Sequence, residues 1–141
     1  MKSRIYLVLM MTAAAVALVG CGGGESATGV TYPITPDAAG EALYAANCQV
    51  CHASPATGGE RQFGAPRHDA DGHTWHHADR PLVDWVLNGV PGGSGVMPAF
   101  SDRFTEAEVA SIIAYIKSTW SPELQAWQTE NSQAWEDQLA E

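Results

Sequence analysis

Cys48-Gln49-Val50-Cys51-His52 is the stretch of this chain from which the fold can be inferred. Two thiols three positions apart, followed at once by a histidine, form the attachment pattern of a c-type haem. Each thiol can form a thioether with a porphyrin vinyl group, and the His52 imidazole then serves as the proximal ligand of the iron. The alternatives are a dithiol redox pair and half of a zinc site. The first needs a βαβ context and the second needs more thiolates or a placed histidine pair, and the sequence offers neither.

The amino terminus has the features of an export signal. Lys2 and Arg4 precede an almost unbroken apolar run over residues 5–19, which is shorter than the roughly 20 residues of a membrane-spanning helix. The segment up to Cys21 resembles a bacterial lipoprotein signal peptide, which implies cleavage after residue 20 and lipid attachment to the Cys21 sulfur. An uncleaved anchor, or ordinary cleavage that leaves Cys21 free, is the alternative. We expect an exported protein, lipid-anchored to a bacterial membrane on its periplasmic or other extracytoplasmic face.

Cysteine usage is consistent with both assignments. The chain has 3 cysteines. With Cys21 lipidated and Cys48 and Cys51 bound to haem, no thiol remains for a disulfide.

The charge balance limits the partners. The chain has 7 basic and 16 acidic residues, and two of the basic ones lie in the signal, so the mature chain has 5 against 16 and a formal charge of −11. Nucleic acid would repel such a protein. We therefore expect no nucleic-acid binding and a redox partner protein with a basic docking face, which would act mostly on the association rate. An acidic surface that serves solubility alone is the alternative.

The mature chain is long enough for one domain. Its first part divides into a tether and a helix. Residues 21–34 are rich in Gly, Ser and Thr and predict a flexible tether. Thr35 as N-cap and Pro36 at the first helical position predict a helix that runs to about Asn47 and leads into the haem motif.

The middle of the chain is irregular. Residues 53–79 are rich in Gly, Pro, Asp and His, and we expect this segment to lie against the haem. A short helix follows, with Asp79 as its predicted cap and Gly89 at its end. A Gly-rich loop over residues 90–96 then leads to Met97.

The last part of the chain carries the clearest helix signal. Thr105 and Glu108 form a capping box. An apolar stripe at helical spacing follows it: Val109, Ile112, Ile113, Ile116 and Trp120. Residues 121–141 are predicted to form an acidic amphipathic extension. Its apolar residues are spaced for one face of a helix: Leu124, Trp127, Trp135 and Leu139.

This order of elements resembles the class I c-type cytochromes over about residues 36–120. The resemblance rests on the haem motif, on residues 97–100 and on residues 105–116. It implies an all-α cytochrome c-like fold over residues 35–120, in which the first and last helices of the family cross beside one covalently attached haem c. It also implies that Met97 is the distal iron ligand, against the alternative of a core methionine.

Ligation by His52 and Met97 implies a single-electron carrier and not an enzyme. A thioether favours ferrous iron and raises the reduction potential, and two protein ligands leave no axial position for dioxygen. Two alternatives remain open: an electron-donating subunit of a redox enzyme, and a haem-based or metal-binding sensing module.

Three further residues are candidates for the haem surroundings. The resemblance implies that the carbonyl of Pro66 accepts the second ring proton of His52, although Ala65 here interrupts the family's more usual Gly-Pro. Arg67 and Trp75 are candidate donors to the haem propionates, or else a surface arginine and a packing tryptophan.

Four histidines lie within ten residues: His68, His73, His76 and His77. Such a cluster can bind copper or zinc. The alternatives are contacts to propionates, a spare axial ligand, or four solvated side chains.

Overall fold

The computed structural model describes Tyr32, Thr35, residues 38–90 and residues 97–141. Its regular structure consists of α1 (Ala38–Asn47), α2 (Gln49–His52), a 3-10 turn (Thr74–His76), α3 (Asp79–Asn88), α4 (Glu106–Ser118) and α5 (Pro122–Leu139). Within these described ranges there is no β-strand, and two isolated β-bridges join Ser54 to Gly58 and Val90 to Met97. The predicted all-α fold is confirmed.

Several sequence predictions lie outside the described residues. These are the signal over residues 1–20, Cys21, most of the tether, Pro36, and the loop over residues 91–96. In the described part of the chain, none of the helices is both long enough and apolar enough to cross a membrane.

The core forms where α1 packs against α4, as the resemblance to the class I c-type cytochromes implies. Tyr44 on α1 is 1% exposed, and its ring centroid lies 5.6 Å from that of Tyr115 on α4. Gly40 is buried on α1 as well. The apolar stripe of α4 is buried throughout: Val109, Ile112, Ile113, Ile116 and, just beyond the helix, Trp120.

Helix α4 begins with the predicted capping box. The Glu108 amide donates to Thr105 Oγ1 at 3.3 Å, and the Thr105 amide donates to Glu108 Oε2 at 2.8 Å. Two of the amides at the helix start, those of Thr105 and Glu108, are therefore satisfied by local side chains.

The predicted cap of α3 is wrong. Ala78 is the N-cap, and Asp79 lies in the first turn with its carboxylate 2.9 Å from Lys117 Nζ on α4. A buried ammonium competes for the carboxylate more strongly than a helix amide does, because an unpaired buried charge is costly. Gly89 ends α3 with a φ of 77°, as predicted.

Helix α5 forms, but its fully buried residues are polar, and of its four predicted apolar residues only Leu124 packs against the core. The buried side chains are Gln128, Ser132 and Glu136, while Trp127 and Trp135 remain 43% and 42% exposed. Polar groups of residues 77–80, which face α5, stabilise this orientation. The Gln128 side-chain amide donates to the carbonyl of His77 at 3.2 Å and to Asp79 Oδ1 at 2.8 Å.

Candidate functional site

The two thiols of the haem motif lie in one helical turn. The Cys48 amide donates to the Tyr44 carbonyl at 2.8 Å, and the His52 amide donates to the Cys48 carbonyl at 3.0 Å. Residues three apart in such a turn share one face, so Cys48 and Cys51 can address the same ligand. Both are free and partly buried. Burial, followed by the neighbouring Cys51, raises the pKa of the Cys48 thiol to about 11.

His52 is buried, with 9% of its surface exposed. Its Nδ1 lies 2.9 Å from the carbonyl oxygen of Pro66, so the contact expected from the sequence is present. A proton on Nδ1 leaves the Nε2 lone pair free for a metal. Burial lowers the pKa of His52, which favours the neutral imidazole that metal ligation requires.

Met97 lies beside the end of α3 in space. The Val90 amide donates to the Met97 carbonyl at 3.2 Å, and Met97 packs, partly buried, against the apolar core. A side chain at Gly89 would collide with this backbone, since its Cβ would lie 2.8 Å from the Met97 oxygen. The backbone of Met97 is thus fixed by its contacts to the end of α3, while its role as distal ligand stays a prediction.

Arg67 and Trp75, the candidate propionate donors, have partners within the protein. The Arg67 guanidinium pairs with Asp69, at 2.8 Å from its Nε to the carboxylate, and lies within 3.5 Å of Asp71. The Trp75 indole donates to the Ala70 carbonyl at 3.3 Å. These contacts fit the alternative of a surface arginine and a packing tryptophan.

The histidine cluster separates into two parts, so a four-histidine metal site is not formed. His73, His76 and His77 lie in and beside the 3-10 turn, where the His73 ring is 4.4 Å from that of His76 and 5.2 Å from that of His77 between centroids. His68 lies instead against His52. In the ranges that the structure describes, no three His, Cys, Asp or Glu side chains are arranged to hold a metal ion. Aromatic packing explains the first group better, because Trp75 stacks on His76 at 3.6 Å.

His68 is the site residue whose place the sequence did not predict. Its Nε2 lies 2.7 Å from His52 Nδ1. The sequence signal that could have predicted this contact is the position of His68 two residues after Pro66. This spacing places His68 close to the carbonyl that faces His52.

The residues present fit a covalently bound haem. Two free thiols share one helical face, the adjoining imidazole is buried with Nε2 available, and a methionine thioether packs at the core. This donor set on a helical fold, with α1 packed on α4, defines a class I c-type cytochrome. A family model described as cytochrome c oxidase, cbb3-type, subunit III matches residues 35–116, and the chain belongs to that family.

Relatives of two kinds are similar to this chain. Cytochrome c6 of Picosynechococcus sp. is 34% identical over 84 residues, which cover 56% of this chain and 69% of that protein. Cytochrome c6 of Leptolyngbya boryana is 34% identical over 79 residues, covering 56% and 87%. The cbb3-type cytochrome c oxidase subunit CcoP of Cereibacter sphaeroides is 32% identical over 89 residues, covering 63% of this chain and 29% of that longer protein. No solved structure matches the chain.

Proposed function

We propose that this protein is a single-electron carrier that holds one haem c, with thioethers at Cys48 and Cys51 and axial ligation by His52 and Met97. The observation that carries the proposal is the buried His52, one turn from two free thiols. Its Nδ1 faces the Pro66 carbonyl, and its Nε2 has no hydrogen-bond partner among the described residues. When bound, the haem supplies an iron centre that alternates between ferrous and ferric states.

The protein side chains give that centre its properties. Pro66 fixes the orientation and tautomer of His52 through the 2.9 Å hydrogen bond. The apolar side chains of α1 and α4 exclude water from this region. The thioether of Met97 would favour the ferrous state, and with His52 and Met97 both holding the iron the site would pass electrons and perform no bond chemistry.

Replacing Met97 by alanine tests the axial assignment. The variant should keep its haem, lose the Met–Fe charge-transfer band in the red, show a lower reduction potential, and bind carbon monoxide or cyanide readily. Leu139→Ala, which removes an exposed apolar side chain of α5, is the matched control and should leave all four properties unchanged. A Met97→Ala protein with the spectrum and potential of the wild type would show that Met97 is a core residue and that another side chain is the distal ligand.

The proposal includes export and a lipid anchor at Cys21. It is supported by the apolar run of residues 5–19 and the small residues before the cysteine. Cells fed a labelled fatty acid should label the wild type and not Cys21→Ser, and Cys21→Ser should leave the membrane fraction while retaining haem. A wild type that stays unlabelled would contradict the anchor without affecting the haem proposal.

The partner in electron transfer is proposed to carry a basic docking face. The support is the formal charge of −9 for the whole chain and the composition of α5, which has acidic residues and no lysine or arginine. Electrostatic attraction acts mainly on the association rate and weakens with ionic strength. In stopped-flow oxidation, the rate with the cation tris(phenanthroline)cobalt(III) should fall as salt is added, whereas the rate with ferricyanide should rise. The opposite pattern would contradict an acidic docking face.

A second candidate function is that of an electron-donating subunit in a larger redox enzyme. It is favoured by the 63% of this chain that matches the oxidase subunit CcoP. Native electrophoresis of mildly solubilised membranes with haem staining distinguishes the two functions, because a subunit migrates with its enzyme and a free carrier migrates alone.

A further inference from the structure

One nitrogen of His52 faces two acceptors. His52 Nδ1 lies 2.9 Å from the Pro66 carbonyl oxygen and 2.7 Å from His68 Nε2. The two imidazole rings stand nearly perpendicular, at 84°, with their centroids 4.3 Å apart. A proton on His52 Nδ1 would therefore be shared between a carbonyl and a second histidine.

The protonation of both rings follows from the proposed ligation. If Nε2 of His52 binds iron, the ring proton of His52 must be on Nδ1. His68 Nε2 then has to accept this proton, so the proton of His68 lies on its own Nδ1. That atom is buried and has no hydrogen-bond partner in the described part of the chain.

The backbone around His68 is fixed by side chains from three directions. The Pro66 carbonyl faces His52, the Arg67 carbonyl accepts from Thr74 Oγ1 at 3.1 Å, and the His68 carbonyl accepts from the Trp120 indole at 2.7 Å. Three consecutive carbonyls are thus each paired with a side chain. The His68 ring is held where it is by these contacts, so its approach to His52 belongs to the folded structure.

We infer that His68 is a positioning residue for the proximal ligand: by accepting the Nδ1 proton of His52 together with Pro66, it makes His52 a stronger donor to the haem iron and lowers the reduction potential. The inference rests on the proposed haem ligation by His52. Hydrogen-bond acceptors behind a ligating histidine raise its basicity. A more basic ligand stabilises ferric over ferrous iron, and each tenfold change in that preference corresponds to about 59 mV for one electron.

Replacing His68 by leucine removes the acceptor while retaining an apolar side chain in the space. The holoprotein should keep its haem and its Met–Fe band but show a more positive reduction potential by spectroelectrochemical titration. His68→Gln, which offers an amide oxygen as acceptor, should restore a potential close to that of the wild type. His76→Leu removes an exposed histidine of the 3-10 turn and should have no effect.

A vibrational measurement separates an electronic effect from a packing effect. With Met97 replaced by alanine, the ferrous iron–histidine stretch can be followed by resonance Raman spectroscopy, and it should fall to lower frequency when His68→Leu is added. If His68→Leu loses its haem, His68→Phe provides the same comparison with an aromatic ring that cannot accept the proton.

The outcomes distinguish this inference from the proposed function. An unchanged potential and stretch in His68→Leu, or an equal shift in His68→Gln, would overturn the inference while leaving the electron carrier intact. A wild type without covalent haem would instead overturn the proposed function.

Discussion

The carboxylate of Asp79 joins three helices in the interior, and its removal is the most informative test of the fold. Asp79 at the start of α3 is 2% exposed, and Lys117 on α4 is 1% exposed. Lys117 Nζ lies 2.9 Å from both carboxylate oxygens, and the Gln128 amide of α5 donates to Oδ1 at 2.8 Å. Asp79→Asn removes the negative charge and leaves the ammonium buried opposite a neutral amide.

The expected loss is large because a buried charge would lose its counter-ion. Removing one partner of a buried ion pair costs about 3–5 kcal/mol, against a total stability of about 5–15 kcal/mol for a typical domain. At about 4 °C per kcal/mol, the midpoint of thermal unfolding should fall by at least roughly 12 °C. Asp71→Asn is the matched control, since Asp71 is 82% exposed and 3.5 Å from Arg67. It should change the stability by less than about 1 kcal/mol.

The assay is guanidinium unfolding of the holoprotein, followed by circular dichroism of the helices and by the haem absorption. A double variant, Asp79→Leu with Lys117→Met, should recover much of the loss, because apolar residues of similar size often replace a buried ion pair at little cost. The reasoning about this pair is refuted if Asp79→Asn is no less stable than Asp71→Asn. It is also refuted if the double variant loses as much stability as Asp79→Leu and Lys117→Met lose together when each is made alone.

Three further predictions concern the attachment site, the Met97 backbone and α5. Cys51→Ala should lose much of the haem-stained band on denaturing gels, because one of the two thioethers is absent, and an undiminished band contradicts the attachment. Gly89→Ala should destabilise the protein by about 1–3 kcal/mol and weaken the Met–Fe band. The reason is that φ at this position is +77° and that the new Cβ would lie 2.8 Å from the Met97 oxygen. An unaltered thermal midpoint refutes this prediction. The Arg80 hydrogen bond lowers the pKa of Glu136 below its usual 4.5, so its stabilising contribution is present at neutral pH and is lost as the pH falls below 4.5 through the folded-state pKa. Glu136→Gln should therefore show a shallower loss of thermal stability on acidification, and identical acid limbs would contradict it.

The sequence by itself determined the features that depend on neighbours along the chain. The Cys48 to His52 spacing, the capping box at Thr105, the glycine at the end of α3 and the apolar stripe of α4 each follow from the geometry of a single turn or helix. Their physical basis is short-range hydrogen bonding and helical periodicity, and these act in the same way in any tertiary context. The all-α fold and the pairing of α1 with α4 were predicted from the resemblance that these local features carry.

Tertiary structure alone decided the partners of the polar side chains on α3, α4 and α5 that pair across the interior. Asp79 does not cap α3, because its carboxylate pairs with the ammonium of Lys117, which lies 38 positions later in the chain. Helix α5 buries a polar face for the same reason. The side chains of Gln128, Ser132 and Glu136 form hydrogen bonds with residues 77–80. The His68 ring lies against His52, a contact that was not predicted from the sequence. A buried polar group must be paired with whatever group the fold brings within about 3 Å, and no periodicity in the sequence encodes that choice.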